Sequence, residues 1–476
     1  MKKILFYNWI PFDEKEGKGG GVTIYTRNLI RHFIDQPDWK VYFLSSGRAY
    51  DLLNRKPRIQ KTENIYGEKC ESYEIVNSPV FSSARISFSF PDKILNDESL
   101  LKVMTEFCNS VGGFDVIHYQ NFEGLSSCVY RLKDSFPNTK FIYSLHNYYL
   151  FCPQVMLWRG DRENCKLDHC GRECFECMPK DVYAAKVRIN QYADRRIAEE
   201  PDKKHSGLKK LKKIAASIAE SKNKKTRFND EQIEALGVDF RQIEKANVDG
   251  LNRYIDRVLA VSGRVRDIAV RKGVTSEKVI VNYIGTEVAG SQQTSQRNSF
   301  DGSVLNICYL GYMRTMKGFY FLLDALEKMP DDLSAKIGIV IASPKTDTKA
   351  YDRLKELESR FASLTYYDGY SHDQLDEILK DVHLGIVPPM WEDNLPQVAI
   401  EMKAKGVAVL ASNLGGAKEL SSAEEFVFKA GDREDFENAI RRLIGAPSLF
   451  EKYWQGQMKL VTMEEHLKQL EEIYSE

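Results

Sequence analysis

The sequence predicts an α/β protein of more than one domain, and three observations lead there. An apolar strand, a glycine-bearing loop and a helix follow one another near the N-terminus, and the same succession starts again at Val304. A chain of 476 residues exceeds one ordinary domain and fits two or three. Between the two successions lies Ala289 to Asp301, AGSQQTSQRNSFD, with the composition of a linker. An apolar content of 43 % is enough for a core in each domain, and the formal net charge is zero. No nucleic-acid partner is expected.

Lys3 to Asn8 reads as a buried first strand. The opening MKKILFYNWIPF imitates a signal peptide, but its apolar run is short and no small-residue cleavage site follows. No run of about 18 uncharged apolar residues occurs, so no transmembrane helix is expected. Gly19-Gly20-Gly21-Val22-Thr23 then precedes a helix from about Ile24 to Phe33. Exposed amides at such a helix start bind phosphate or sugar, which makes Gly20 and Gly21 candidates; flexible loops look the same.

Val41 to Ser45 is a second strand, and residues 50–100 are too irregular to assign. Val116–Tyr119 and Phe141–Leu145 are parallel strands. The latter ends in His146-Asn147, at the strand end where open α/β sheets bind ligands. His146 is therefore a candidate. For His118 a structural role is about as good a reading.

Cys152, Cys165, Cys170, Cys174 and Cys177 then fall within one loop, with His169 among them. In a chain without an export signal, cysteines argue for thiols or metal ligands. Four of these six side chains suit a structural zinc site; free thiols are the plain alternative, and an iron–sulfur centre the remote one.

Residues 180–250 read as a charged helical insertion. Lys203 to Lys225 holds nine lysines against one acidic residue, Glu220, with Leu208, Leu211, Ala215, Ile218 and Ala219 at helical spacing. Such a helix lies on an anionic membrane surface or packs, solvated, on its own domain; we rank the membrane slightly first. Arg257–Val261 is the next strand, Ser262 an N-cap, Val265–Lys272 a helix and Val279–Tyr283 a further strand.

Val304–Leu310 opens the second succession, followed by Gly311 to Gly318 and a helix marked by Phe321, Leu322, Ala325 and Leu326. Lys317 and Arg314 are candidates for clamping a diphosphate. Ile337–Ala342, Tyr366–Tyr370 and Leu384–Val387 are strands, and Leu375–Leu379 and Phe436–Leu443 helices. The stretch 391–420, WEDNLPQVAIEMKAKGVAVLASNLGGAKEL, carries the densest chemistry. Pro396 suits a helix start and Gly406 a helix stop. Asp393 precedes the helix, Glu401 lies about two turns along it, and Gly415-Gly416 form a loop that admits close backbone approach. One carboxylate can accept from sugar hydroxyls and the other from both hydroxyls of a ribose, with Asn394 and Leu395 in the turn between them.

That stretch resembles the E-x7-E signature of the retaining glycosyltransferases of the family 4 class. Asp393 stands where Glu is usual, with Glu392 beside it; "EDNLP" resembles enzymes that build bacterial surface polysaccharide such as capsule and lipopolysaccharide. "SLHN" at 144–147 resembles the family's "TLHD", with Asn147 for Asp. Lys317 matches the lysine of G-R-x-x-x-x-K-G, whose arginine position is Tyr312; Arg314 either substitutes from two positions on or the charge is missing. The resemblance covers most of the chain apart from roughly 50–100 and 180–250.

The resemblance implies the GT-B fold, with two Rossmann-like domains facing across a cleft. The domains are expected at 1–288 and 302–446, joined by the linker 289–301. The first carries the cysteine-rich loop 152–177 and the insertion 180–250, and 447–476 crosses back to it. It also implies transfer of a hexosyl unit from a UDP-, GDP- or ADP-sugar to a glycan or lipid-linked acceptor. In that reading His146, Lys317 and Asp393 act at the reacting sugar, and the site needs no catalytic metal. The enzyme is expected in the cytoplasm, at most peripheral at the inner face of the plasma membrane. The rival reading is a non-catalytic sugar-nucleotide-binding or scaffolding protein, which the altered arginine and Asn147 would suit.

Overall fold

The apolar runs become the strands of two sheets in the computed structural model, which describes residues 1–14, 19–179, 182–200, 204–223, 228–293, 297–421, 423–456 and 458–476. In chain order the first part holds β1 (Lys2–Tyr7), β2 (Trp39–Ala49), β3 (Arg58–Thr62), β4 (Cys70–Val76), β5 (Val116–Tyr119) and β6 (Lys140–Leu145). The short hairpin β7 (Trp158–Arg159) and β8 (Glu163–Asn164) follows, then β9 (Arg257–Ala260) and β10 (Val279–Val281). Apart from the hairpin these form one sheet in the order β10-β9-β6-β5-β1-β2-β4-β3, parallel except where β3 meets β4. The unbroken apolar runs of β1, β5 and β6 fit this place, because a parallel sheet is covered on both faces.

The second sheet contains β11 (Leu305–Leu310), β12 (Ile337–Ser343), β13 (Ser363–Asp368), β14 (Leu384–Val387), β15 (Ala408–Ser412) and β16 (Val427–Phe428), in the order β13-β12-β11-β14-β15-β16. Strand order reverses between β1 and β5 in one sheet and between β11 and β14 in the other. Both reversals open a crevice at the strands' C-terminal ends.

Several elements differ from the sequence reading for physical reasons. The first helix is Gly20–Phe33, so the glycines form its first turn and not a loop before it. Residues 50–100 contain the edge pair β3 and β4, whose half-exposed alternation hid them. The stretch 180–250 is three helices, Ala184–Glu199, Ser206–Asn223 and Asp230–Tyr254. The last is no surface insertion: Phe240, Ile243 and Leu251 are buried in the first domain's core, and the helix carries the chain from β6 towards β9. Lys203, Lys224 and Lys225 of the basic run, and residues 294–296 of the linker, lie outside the described residues.

The C-terminal region divides. Ser448–Gln455 packs Phe450, Tyr453 and Trp454 into the second domain. Met463–Ser475 lays Leu467, Leu470, Ile473 and Tyr474 against Ile4, Phe6 and Phe33 of the first. Thr462 caps this helix and also bridges Thr286. No helix among the described residues is long and apolar enough to cross a membrane.

Candidate functional site

The strand ends of the two sheets enclose one cleft of about 740 Å³. From the second domain, Gly318 shapes its wall. Its φ is +76°, and an added Cβ would lie 1.8 Å from the Pro388 carbonyl oxygen, so only glycine fits. That turn places Lys317 Nζ 2.6 Å from Asp393 Oδ2 and 5.4 Å from the centre of the Trp391 ring. Glu401 is on the helix Gln397–Ala404, buried, and also lines the cleft. Its carboxylate accepts from Tyr370 Oη at 3.1 Å and lies 3.4 Å from His372 Nδ1. Burial raises its pKa, against the pull of His372 and Tyr370.

Glu392 and Asp393 have separate tasks. Glu392 turns away from the cleft to Arg264 of the first domain, with Oε2 2.8 Å from Nε, and also accepts from Gly415 N at 3.0 Å. Burial pushes its pKa up, but the guanidinium and the amide outweigh this and hold it below the ordinary value. Asp393 is left to face the cleft. Gly415 and Gly416 are not among the cleft-lining residues. Gly416 N donates to Asp393 O at 2.8 Å, and a Cβ on Gly415 would lie 2.2 Å from that same oxygen. They support the loop from behind. Leu395 and Asn394 line the cleft, and Asn394 ties the domains, its Nδ2 donating to His146 O and its carbonyl accepting from Ser262 Oγ at 2.7 Å.

From the first domain come Gly20, Gly21 and His146. A Cβ on Gly21 would lie 3.5 Å from Gln397 Nε2, so the starts of helices Gly20–Phe33 and Gln397–Ala404 face each other. His146 Nε2 is 2.9 Å from Gln120 Oε1, and its ring centre is 4.7 Å from that of Tyr25. Burial pushes its pKa down to about 3, which favours the neutral ring, able to donate or accept a hydrogen bond.

Other candidates lie elsewhere. The Arg314 guanidinium stacks 5.4 Å from the Tyr312 ring centre and does not line the cleft, whereas Tyr312 does. Asn147 donates to Glu123 Oε1 at 3.3 Å. Burial raises that carboxyl to about 7, so an aspartate at 147 would have set a second acid against it. His118 is buried beneath the last helix, with Nδ1 2.7 Å from Tyr474 Oη and Nε2 2.8 Å from Ser144 Oγ.

Cys152, Cys170 and Cys174, expected among the ligands of a structural zinc, share one buried cluster, with Cys165 packed against it. Among the described residues, no group of three or more His, Cys, Asp or Glu side chains is arranged to hold a metal ion. Cys170 Sγ donates to Phe151 O at 3.2 Å, Cys177 Sγ accepts from Gly160 N at 3.3 Å, and all five cysteines of the loop are free thiols. Cys152 is buried and Cys165 half-buried, while His169 is largely exposed. An ion pair also staples the loop. Glu244 accepts from Cys170 N at 2.7 Å and pairs with Lys272 at 3.2 Å, and Lys272 also donates to Asp168 O at 2.6 Å. Both partners come from distant segments, so spacing within the loop held no sign of them.

Arg264 and Glu419 were also missed. Glu419 accepts from Gly263 N at 2.8 Å and Arg264 N at 2.6 Å, capping a first-domain helix from the second domain. The glycine after the N-cap Ser262 was the one local sign of such a docking point, since a Cβ there would lie 3.2 Å from the Glu419 carboxylate.

Residues 291–455 match the family Glycosyl transferases group 1. Solved structures align over the whole chain. The lipopolysaccharide outer core galactosyltransferase WaaB in its apo form has a TM-score of 0.56 at 13 % identity, covering 100 % of this chain and 99 % of its own. Anabaena HepE in complex with UDP gives 0.55 at 12 % identity, covering 100 % of both chains. Sucrose-phosphate synthase from Thermosynechococcus elongatus gives 0.53 at 14 % identity, covering 100 % of this chain and 98 % of its own. The fold is GT-B. In this GT-B chain the cleft-facing Lys317, Asp393 and Glu401 all belong to the segment that matches the family. No curated protein sequence matches the chain.

Proposed function

We propose that this chain is a retaining glycosyltransferase of the family 4 class. It takes a hexosyl unit from a nucleotide-sugar and gives it to a glycan or lipid-linked acceptor in bacterial surface-polysaccharide synthesis. The observation that carries the reading is the meeting of Lys317, Asp393 and Glu401 in one interdomain cleft beside two uncapped helix starts. Lys317 and the first turn of helix Gln397–Ala404 would neutralise the diphosphate as it leaves. Glu401 would take the ribose hydroxyls in place of Tyr370. Asp393 would orient the sugar, and the neutral His146 would meet a sugar hydroxyl from the opposite wall. Attack on the face the diphosphate leaves retains the anomeric configuration, and no step calls for a metal.

The experiment is a melting-temperature screen against UDP-, GDP- and ADP-sugars, beginning with UDP because the HepE structure holds it. A donor that stabilises the wild type should do so much less in Glu401→Gln, which loses about 1.5–3 kcal/mol for each charge-assisted hydrogen bond. Slow hydrolysis of that donor without acceptor separates an enzyme from a scaffold. No stabilisation by any donor would end this reading.

A further inference from the structure

We propose that the first domain's wall of the cleft holds a second anion site, formed by Thr23, Arg27 and the first turn of helix Gly20–Phe33, and that it takes an acidic group of the acceptor. This rests on the transferase reading and adds the acceptor's chemistry to it.

Three observations converge. The helix has 14 residues, no side-chain cap and no acidic residue in its first turn, so its first amides and the positive end of its dipole are open to the cleft. Thr23 is only 4 % exposed and lines the cleft, yet its hydroxyl has no hydrogen-bond partner among the described residues. A buried hydroxyl left unpaired is costly unless a ligand completes it. Its oxygen lies beside the helix start, for a Cβ on Gly19 would be 1.7 Å from it. Arg27 follows one turn later on the same face and also lines the cleft. Its Nε is anchored on Phe12 O at 2.9 Å, and its two terminal nitrogens have no partner among the described residues.

Arg27 is thus held in place with its bidentate edge unspent, beside a hydroxyl that needs a partner. The donor's diphosphate has its own cation in Lys317 on the opposite wall, which assigns Arg27 to the other substrate. A phosphate or carboxylate would satisfy all three groups, and the exposed Ile24 between Thr23 and Arg27 would border the acceptor's apolar or sugar portion.

The probe is inorganic phosphate, titrated calorimetrically into protein already saturated with UDP or with whichever nucleotide the donor screen selects. Phosphate should still bind. Arg27→Gln and Thr23→Val should each weaken it by about tenfold or more, Arg27→Lys should restore part of the loss, and nucleotide affinity should stay within about twofold of wild type. Melting curves of each variant confirm folding. Competition between phosphate and nucleotide, or a tenfold loss of nucleotide affinity in Arg27→Gln, would give the site to the donor diphosphate and overturn the proposal. So would phosphate binding that is absent or insensitive to both substitutions. Nucleotide binding without phosphate binding sinks this site alone; absence of both sinks the transferase reading.

Discussion

Arg264 of the first domain grips Glu392 of the second, with Nε 2.8 Å and Nη2 2.5 Å from the two carboxylate oxygens, one residue before the Asp393 that faces the cleft. The same carboxylate holds Gly415 N, so the loop bearing Asp393 is fixed between its own domain and the opposite one. The contact between the domains and the placing of Asp393 therefore share one ion pair.

That coupling predicts a kinetic signature. Arg264→Met and Glu392→Gln should each lower turnover with little change in nucleotide affinity, because neither lines the cleft. The double variant should be no worse than the poorer single one. A double-mutant cycle on turnover should give a coupling of about 0.5–3 kcal/mol. Independent, additive losses would mean the pair does not act on Asp393.

Lys403 predicts a pH dependence of stability. Its ammonium is fully buried two residues beyond Glu401, donating to Leu420 O and to Met458 O at 2.7 Å for the latter. It bolts the donor helix to the segment that crosses back. Burial pushes its pKa down to about 7. A free lysine titrates near 10.4, so between about pH 7 and 10.4 the unfolded chain binds the extra proton and stability rises with pH, by up to about 1.4 kcal/mol per unit. In denaturant melts across this range, the stability of wild type minus that of Lys403→Met should rise with pH at up to this slope. Parallel curves would contradict the depressed pKa.

The buried Glu244–Lys272 pair predicts how the cysteine-rich loop comes apart. Lys272→Met strands a buried carboxylate, at a cost of about 3–5 kcal/mol. It should also expose Cys165, Cys170, Cys174 and Cys177 to thiol reagents at native pH. A strong chelator should change neither the stability nor the thiol reactivity of the wild type. Chelator-induced release of zinc together with the thiols would make the metal, and not the ion pair, the staple.

The contrast between these sites shows what a sequence carries. Asp393 and Glu401 were legible because the one strand–turn–helix unit after β14 sets their spacing, and Lys317 because it sits in the turn of a second such unit after β11; local geometry is written locally. The helix ends at Pro396 and Gly406, and the Ser262 cap accepting from Val265 N at 3.2 Å, were legible for the same reason. Arg264 reaches Glu392 across 128 residues, Glu419 reaches Gly263 across 156, and Glu244 reaches Cys170 across 74 and Lys272 across 28, and no periodicity relates these partners. Register alone left Arg314 open between substituting for the missing arginine and leaving that charge absent, because it cannot tell a side chain that enters the cleft from one that stacks on the neighbouring Tyr312.

The basic helix supplies the last prediction. The apolar stripe read from its sequence is largely spent inside the protein. Ala215 and Ala219 are buried, Leu208 and Leu211 half-buried, and Lys212 bonds Asp194 of helix Ala184–Glu199 at 2.6 Å. What remains outside is Ile218 of that stripe, 54 % exposed, together with the neighbouring Ile214, 47 % exposed, and the exposed Lys209, Lys210 and Lys213 beside them. Cations around two unpartnered isoleucines suit the surface of an anionic bilayer, where each lysine contributes about 1 kcal/mol within a Debye length. In sedimentation, wild type should pellet with anionic vesicles at low salt and not with neutral ones. Changing the three lysines to glutamine should abolish this, while Ile214→Ser with Ile218→Ser should weaken it and leave its salt dependence intact. Equal pelleting of all the proteins would make the helix a solvated face, and a lipid-linked acceptor would then have to be reached without it.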